Sequence, residues 1–151
     1  RFWGGDITLT ARPTEELTFT AKGEWIRGRN VSHGTWLPFM PADRYTLGAQ
    51  WTRSWGSTGR WQSRLSAEGI SVAKQTRFDP EHELVSDMPA GYFLLGLQGE
   101  LRYTLDTRRS LRFLLSSENT LNALYKEASD RFRYYAHAPG RSVTLRTILY
   151  F

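Results

Sequence analysis

Nine residues of this chain carry side chains suited to holding a ligand and fall outside any strand-like pattern: Arg29, His33, Trp36, His82, Arg131, Arg133, Tyr134, Tyr135 and His137. Neutral imidazole is the commonest metal ligand among side chains, so the three histidines are the first place to look for metal or haem capture. No two of them have the sequence spacing of a ligand pair, and no metal is assigned; the plain reading is three polar loop residues. The three arginines could fork onto an anionic ligand or a phosphate, with solvated loop charge as the default. Trp36, Tyr134 and Tyr135, together with Phe132, could line a ligand vestibule or pack loops against each other. No catalytic constellation accompanies them. Glu15 and Glu16 lie in a turn, and G-x-S-x-G, phosphate-loop and H-E-x-x-H patterns are absent. With no cysteine there is no thiolate nucleophile and no disulfide framework. We expect no catalytic residue, no cofactor and no enzyme activity.

The elements that must position these residues alternate with a period of two, which marks strands. Segments 6–12, 17–25, 44–53, 60–72, 91–105, 110–117 and 141–151 read this way. In the second, Leu17, Phe19, Ala21 and Trp25 share one face and Thr18, Thr20, Lys22 and Glu24 the other. In the fifth, Phe93, Leu95, Leu97, Leu101, Tyr103 and Leu105 oppose Gln98, Glu100, Arg102 and Thr104. In the last, Ile148 interrupts the alternation. The connections run short, long, short, long, short, long. The long ones, 27–42, 73–90 and 118–140, all fall at one end and contain every candidate above. Leu121, Leu124, Tyr125 and Ala128 have helical spacing and predict a turn or two of helix.

The net charge of +5 and pI near 9.8 raise the question of nucleic acid. The basic residues alternate with apolar ones or sit in turns, so no nucleic-acid partner is expected. No apolar run approaches the ~20 residues of a membrane helix, but a barrel strand needs only about 9–11 with alternate apolar positions.

Alternation alone fits two architectures. A soluble β-sandwich hides its apolar face; a transmembrane barrel shows that face to lipid and keeps the polar one for water. Three features favour the barrel. Trp25, Tyr45, Trp51, Trp61, Phe93 and Tyr103 lie near strand ends on the apolar face, like interfacial girdles, although core aromatics would read the same way. The strands exceed the ~5–6 residues usual in soluble sheets. The chain also stops on Leu149-Tyr150-Phe151 without a tail. Lys22, Glu24, Arg64, Glu68, Glu100, Arg102, Arg112 and Arg146 then face the lumen, where cross-strand charge pairing is their expected role.

Several short stretches, in order along the chain, resemble a known family. Asn119, Asn122 and Tyr125 match the asparagine-leucine-phenylalanine-asparagine/aspartate-x-x-tyrosine segment near the end of TonB-dependent transporters, with Thr120 and Leu121 as departures. Pro139-Gly140-Arg141-Ser142 is similar to the proline-glycine-arginine-asparagine stretch that opens that family's final strand. Phe151 matches its terminal phenylalanine. Leu37-Pro38-Phe39-Met40-Pro41 resembles a loop before a descending strand, and Gly91-Tyr92 a pair that opens another.

The resemblance implies an all-β fold: an antiparallel transmembrane β-barrel segment, about seven strands of a 22-stranded barrel, spanning residues 1–151. The remaining strands and a plug domain would lie upstream of Arg1. It implies active uptake of a scarce nutrient, foremost an iron-siderophore or similar small-molecule metal complex, across the outer membrane of a Gram-negative bacterium. The implied partners are outer-membrane lipid and lipopolysaccharide, the rest of the barrel and its plug, TonB acting through the absent plug, and the barrel assembly machinery, which would read Leu149 and Phe151. Two alternatives stand beside it: a small standalone passive outer-membrane barrel, and a soluble β-sandwich module binding carbohydrate.

Overall fold

The computed structural model describes residues 1–56, 58–81 and 88–151. Eight strands form: β1 (Phe2–Ala11), β2 (Leu17–Asn30), β3 (Thr35–Trp36), β4 (Arg44–Trp55), β5 (Trp61–Val72), β6 (Tyr92–Thr104), β7 (Ser110–Glu118) and β8 (Ser142–Tyr150). Seven make a sequential antiparallel meander, β1-β2-β4-β5-β6-β7-β8, and the two-residue β3 pairs with β2 beyond its main partners. The sheet is not closed, and β1 and β8 are its edges. The seven expected segments are all present, with shifted ends. β1 starts at Phe2 rather than Asp6, and β2 runs to Asn30 rather than Trp25, because the β1–β2 ladder pairs Phe2 with Gly28 and Trp3 with Arg27.

Register keeps the two faces separate across the whole sheet. Phe19 opposes Ala49, Ala67 opposes both Ala49 and Leu97, and Leu115 opposes Leu145, so apolar positions meet apolar positions. A slip of one residue in any ladder would mix the faces. Two glycines on the apolar face make room for rings. A Cβ at Gly5 would come within 2.7 Å of the Trp25 indole, and one at Gly69 within 3.0 Å of the Phe93 ring.

The apolar face has no cover. Phe19 is 45% exposed, Leu47 69%, Leu97 41% and Leu145 71%. No second sheet among the described residues packs on it. The buried apolar residues, Ala42, Val72, Met88 and Ala128, lie instead at the long-loop end. The chain therefore builds a wall whose packed interior sits under its loops.

The helix expected over 121–128 does not form. Asn119 and Asn122 take left-handed φ angles of 45° and 54°, which asparagine tolerates but which interrupt a helix. Leu121 and Leu124 are 60% and 77% exposed, so there is no apolar helix face to bury. The single helical feature among the described residues is a 3-10 turn, Arg131–Tyr134, capped by the Asp130 side chain accepting from Phe132 N–H.

Candidate functional site

At the long-loop end, charge and packing tie the three long connections to the strand tops. Asp43, just before β4, accepts from Arg27 Nη1 and Nη2 of β2 at 2.5 and 2.8 Å and from Arg77 Nη2 of the β5–β6 connection at 3.0 Å. All three side chains are about four-fifths covered. The Arg27 hydrogen bond holds the Asp43 carboxyl below its ordinary 3.8, against the burial that pushes it up, and Arg77 adds to the lowering. Gln75, fully buried, donates from Nε2 to the Met40 and Pro41 carbonyls at 2.7 and 3.0 Å. Glu127, from the β7–β8 connection, accepts from Tyr92 Oη at 2.5 Å and from Arg44 Nη2 at 3.2 Å. The Tyr92 ring packs at a tilt against Tyr125 with centroids 4.4 Å apart.

The stretches that carried the family resemblance belong to this same assembly. Asn119 bridges its own loop: Nδ2 donates to the Ala123 and Pro139 carbonyls and Oδ1 accepts from Ala123 N–H. Asn122 Oδ1 accepts from Arg141 N–H at 3.0 Å. A Cβ at Gly140 would stand 2.8 Å from that oxygen, so glycine is required there for the close approach. The asparagine pair and the Pro139-Gly140-Arg141 turn are thus one cap that feeds the chain into β8. These residues anchor loops; none is arranged as a ligand contact.

The nine ligand candidates are placed in two groups and some outliers. Arg29 donates to the Gly34 carbonyl through Nε and Nη2 at 3.2 and 3.0 Å and lies over the Trp36 ring, 5.6 Å from its centroid. Trp36 in turn leans on Trp3. Arg131 and Arg133 both lie over the Phe39 ring, at 5.4 and 4.9 Å, with Tyr134 edge-on to it. Arg133 is only 3% exposed, donating to the Ala128 carbonyl and to Tyr134 Oη, so it packs the loop. His33 and His137 are exposed, Tyr135 is 82% exposed and Phe132 73%. His82 lies outside the described residues. Among those described, no three His, Asp or Glu side chains gather as a metal-ligand set. Leu149 and Phe151 are 56% and 96% exposed, Leu149 on the apolar face opposite Leu111.

Down the wall, the apolar face ends in an aromatic ladder beside the short turns. Trp55 stacks on Trp61 at 5.7 Å and Trp61 meets Tyr103 at a tilt, 4.6 Å away, each pair directly opposite across neighbouring strands. On the polar face the expected charge pairing is partial. Glu100, its side chain 9% exposed, sits 3.3 Å from Arg112 Nε and 3.8 Å from Arg64 Nη1. Arg102 directly opposes Arg112 rather than a carboxylate. Reading the sequence by periodicity missed Arg27, Asp43, Gln75, Arg77 and Glu127, because they sit at strand ends or in loops where no period applies.

No family model and no curated protein matches this chain. Among solved structures it is similar to a copper transporter, OprC, with a TM-score of 0.76 at 20% identity. The match covers 99% of this chain and 23% of that one. At this identity the likeness establishes the fold alone, a long-stranded antiparallel sheet, and this chain spans about a quarter of that protein's length.

Proposed function

We propose that this chain is a wall segment of an outer-membrane β-barrel transporter. Its apolar face would meet lipid, its polar face an aqueous lumen, and its long loops the extracellular side. One observation carries this reading: a single-layer sheet leaves a continuous apolar face exposed, on strands of 9–14 residues. Soluble proteins rarely expose such a patch unless it docks, and tilted strands of about this length cross a bilayer. The Trp55–Trp61–Tyr103 ladder fits the level of the lipid headgroups. Open edges at β1 and β8 fit a segment whose barrel is completed by further strands, since unpaired backbone groups in lipid cost several kcal/mol each.

For cargo we propose a metal complex, of which an iron-siderophore is one form. Support comes from the motif resemblance and from the named cargo of the structural neighbour. Uptake driven through TonB, with a plug inside the barrel, is part of the same proposal and rests on that resemblance. The exposed loop residues Arg131, Phe132, Tyr135 and His137 are the surfaces such a cargo would meet first.

Neighbouring residues on opposite faces test the reading. Leu97→Arg puts a charge on the lipid face, and Gln98→Arg puts one on the polar face. The first is expected to cost about 2–4 kcal/mol of folding in lipid and to block membrane assembly, the second about 1 kcal/mol or less. Equal effects in a bilayer folding titration, or full tolerance of Leu97→Arg, would overturn the assignment of sides.

A further inference from the structure

On its apolar side, the β1–β2 pair changes chemistry in a fixed order toward the long loops. Ile7 and Leu9 come first, 54% and 63% exposed. Trp25, Trp3 and Trp36 follow, the last two with ring centroids 6.3 Å apart. Beyond them stand Arg1 and Arg29, set side by side where the Arg29 N–H donates to the Arg1 carbonyl at 2.8 Å. Aliphatic, aromatic, cationic is also the order that suits a bilayer, from acyl chains through the interface to the headgroup phosphates.

The two guanidiniums are positioned but not neutralised. Arg1 lies over the Trp3 ring, 5.9 Å from its centroid, as Arg29 lies over Trp36. The Gly34 carbonyl engages Nε and Nη2 of Arg29, which leaves its Nη1 donors unused. The Arg1 guanidinium has no acceptor among the described residues. The carboxylates that these strands carry nearby, Asp6 and Glu24, pair with each other on the opposite face, and Asp43 is taken by Arg27 and Arg77. A cavity of about 590 Å³ opens at the two arginines, lined by Arg1, Trp3, Arg29, Val31 and Gly34 and by no carboxylate. Guanidinium donors beside an indole suit phosphate oxygens and the carbon atoms that carry them.

We infer that this cavity binds the phosphate of an anionic membrane lipid from the leaflet on the long-loop side. Arg1 and Arg29 donate to the phosphate, the headgroup carbons lie on Trp3, and the acyl chains pass Trp25 toward Ile7 and Leu9. The inference rests on the proposed assignment of sides and adds to it a defined headgroup and the residues that hold it.

The test uses the full-length protein in neutral detergent, with bound lipid counted by native mass spectrometry. Phosphatidylglycerol is the anionic probe, phosphatidylcholine the zwitterionic one and inorganic phosphate the free anion. A single phosphatidylglycerol should be retained about tenfold better than phosphatidylcholine, and excess inorganic phosphate should not displace it. The preference should vanish in Arg1→Gln/Arg29→Gln and persist in Arg1→Lys/Arg29→Lys, which keeps the charge should the first variant assemble poorly. Equal retention of the two lipids, an unchanged preference in the neutral variant, or displacement by inorganic phosphate overturns the inference alone. A photo-cross-linking amino acid at Leu97 in the native membrane checks the sides separately. Products with lipid acyl chains are expected there, and their absence overturns the assignment of sides and the inference with it.

Discussion

The two ends of this sheet use arginine in opposite ways. At the long-loop end, Arg27 and Arg77 share Asp43 and Arg44 meets Glu127, so the cations there find acceptors within the chain. Near the short turns, Arg64 and Arg112 share Glu100, while Arg102 stands opposite Arg112. The first group is self-sufficient, and its consequence is local order: it fixes where three long connections leave the wall. The second sets like charges opposite each other across a ladder. Paired charge marks where the chain closes on itself.

The most direct way to break this comparison is to remove the acceptor at the closed end. Asp43→Asn should cost about 2–3 kcal/mol, because it leaves two covered guanidiniums facing each other, and protease cleavage within 27–43 and 73–81 should speed up accordingly. Unchanged cleavage would make the clasp ornamental. Removing the acceptor near the short turns, Glu100→Gln, should cost about 1–2 kcal/mol in a lipid refolding titration, less than at Asp43 because Arg64 and Arg112 are more exposed than Arg27 and Arg77. Arg102→Gln should run the other way. It relieves a like-charge opposition and should leave stability unchanged or raise it by a few tenths of a kcal/mol, up to about 1; a marked loss would mean that Arg102 has a partner within the folded protein.

Acid separates the same regions. The folded pKa of Asp43 is depressed, so its contribution is complete above 3.8 and is lost as pH falls through the lower folded value. Loop protection should hold from neutral pH to about pH 5 and weaken below about pH 4. Asp106, in the β6–β7 turn, is lowered to about 2 by the Arg108 N–H, the Arg109 side chain and the Arg109 N–H. It lies in an exposed turn far from the loops, so Asp106→Asn should leave loop protection unaltered, the smallest effect in the series. An NMR titration of the two carboxylates would check both.

Much of the wall was legible because period-two alternation is local. Phe19, Leu47, Leu97 and Leu145 declare one face from sequence alone, and the seven strand segments follow. Even the Arg102–Arg112 opposition was within reach. Tyr103 and Leu111 must share the apolar face, and pairing them places Arg102 beside Arg112. The loops were not legible. The helical spacing of Leu121, Leu124, Tyr125 and Ala128 described an apolar stripe with nothing to bury against, and two left-handed asparagines overrode it. Arg133 looked like a free cation for an anionic ligand, yet it is a buried packing residue.

The sequence by itself determined which residues share a face and where the chain turns, since both follow from backbone pleat and from nearest neighbours along the chain. Only the tertiary structure decided that the apolar face stays uncovered, and which carboxylate each arginine finds. Those outcomes depend on contacts between residues tens of positions apart, such as Arg44 with Glu127, and on whether a second layer exists to pack against. No local periodicity encodes either.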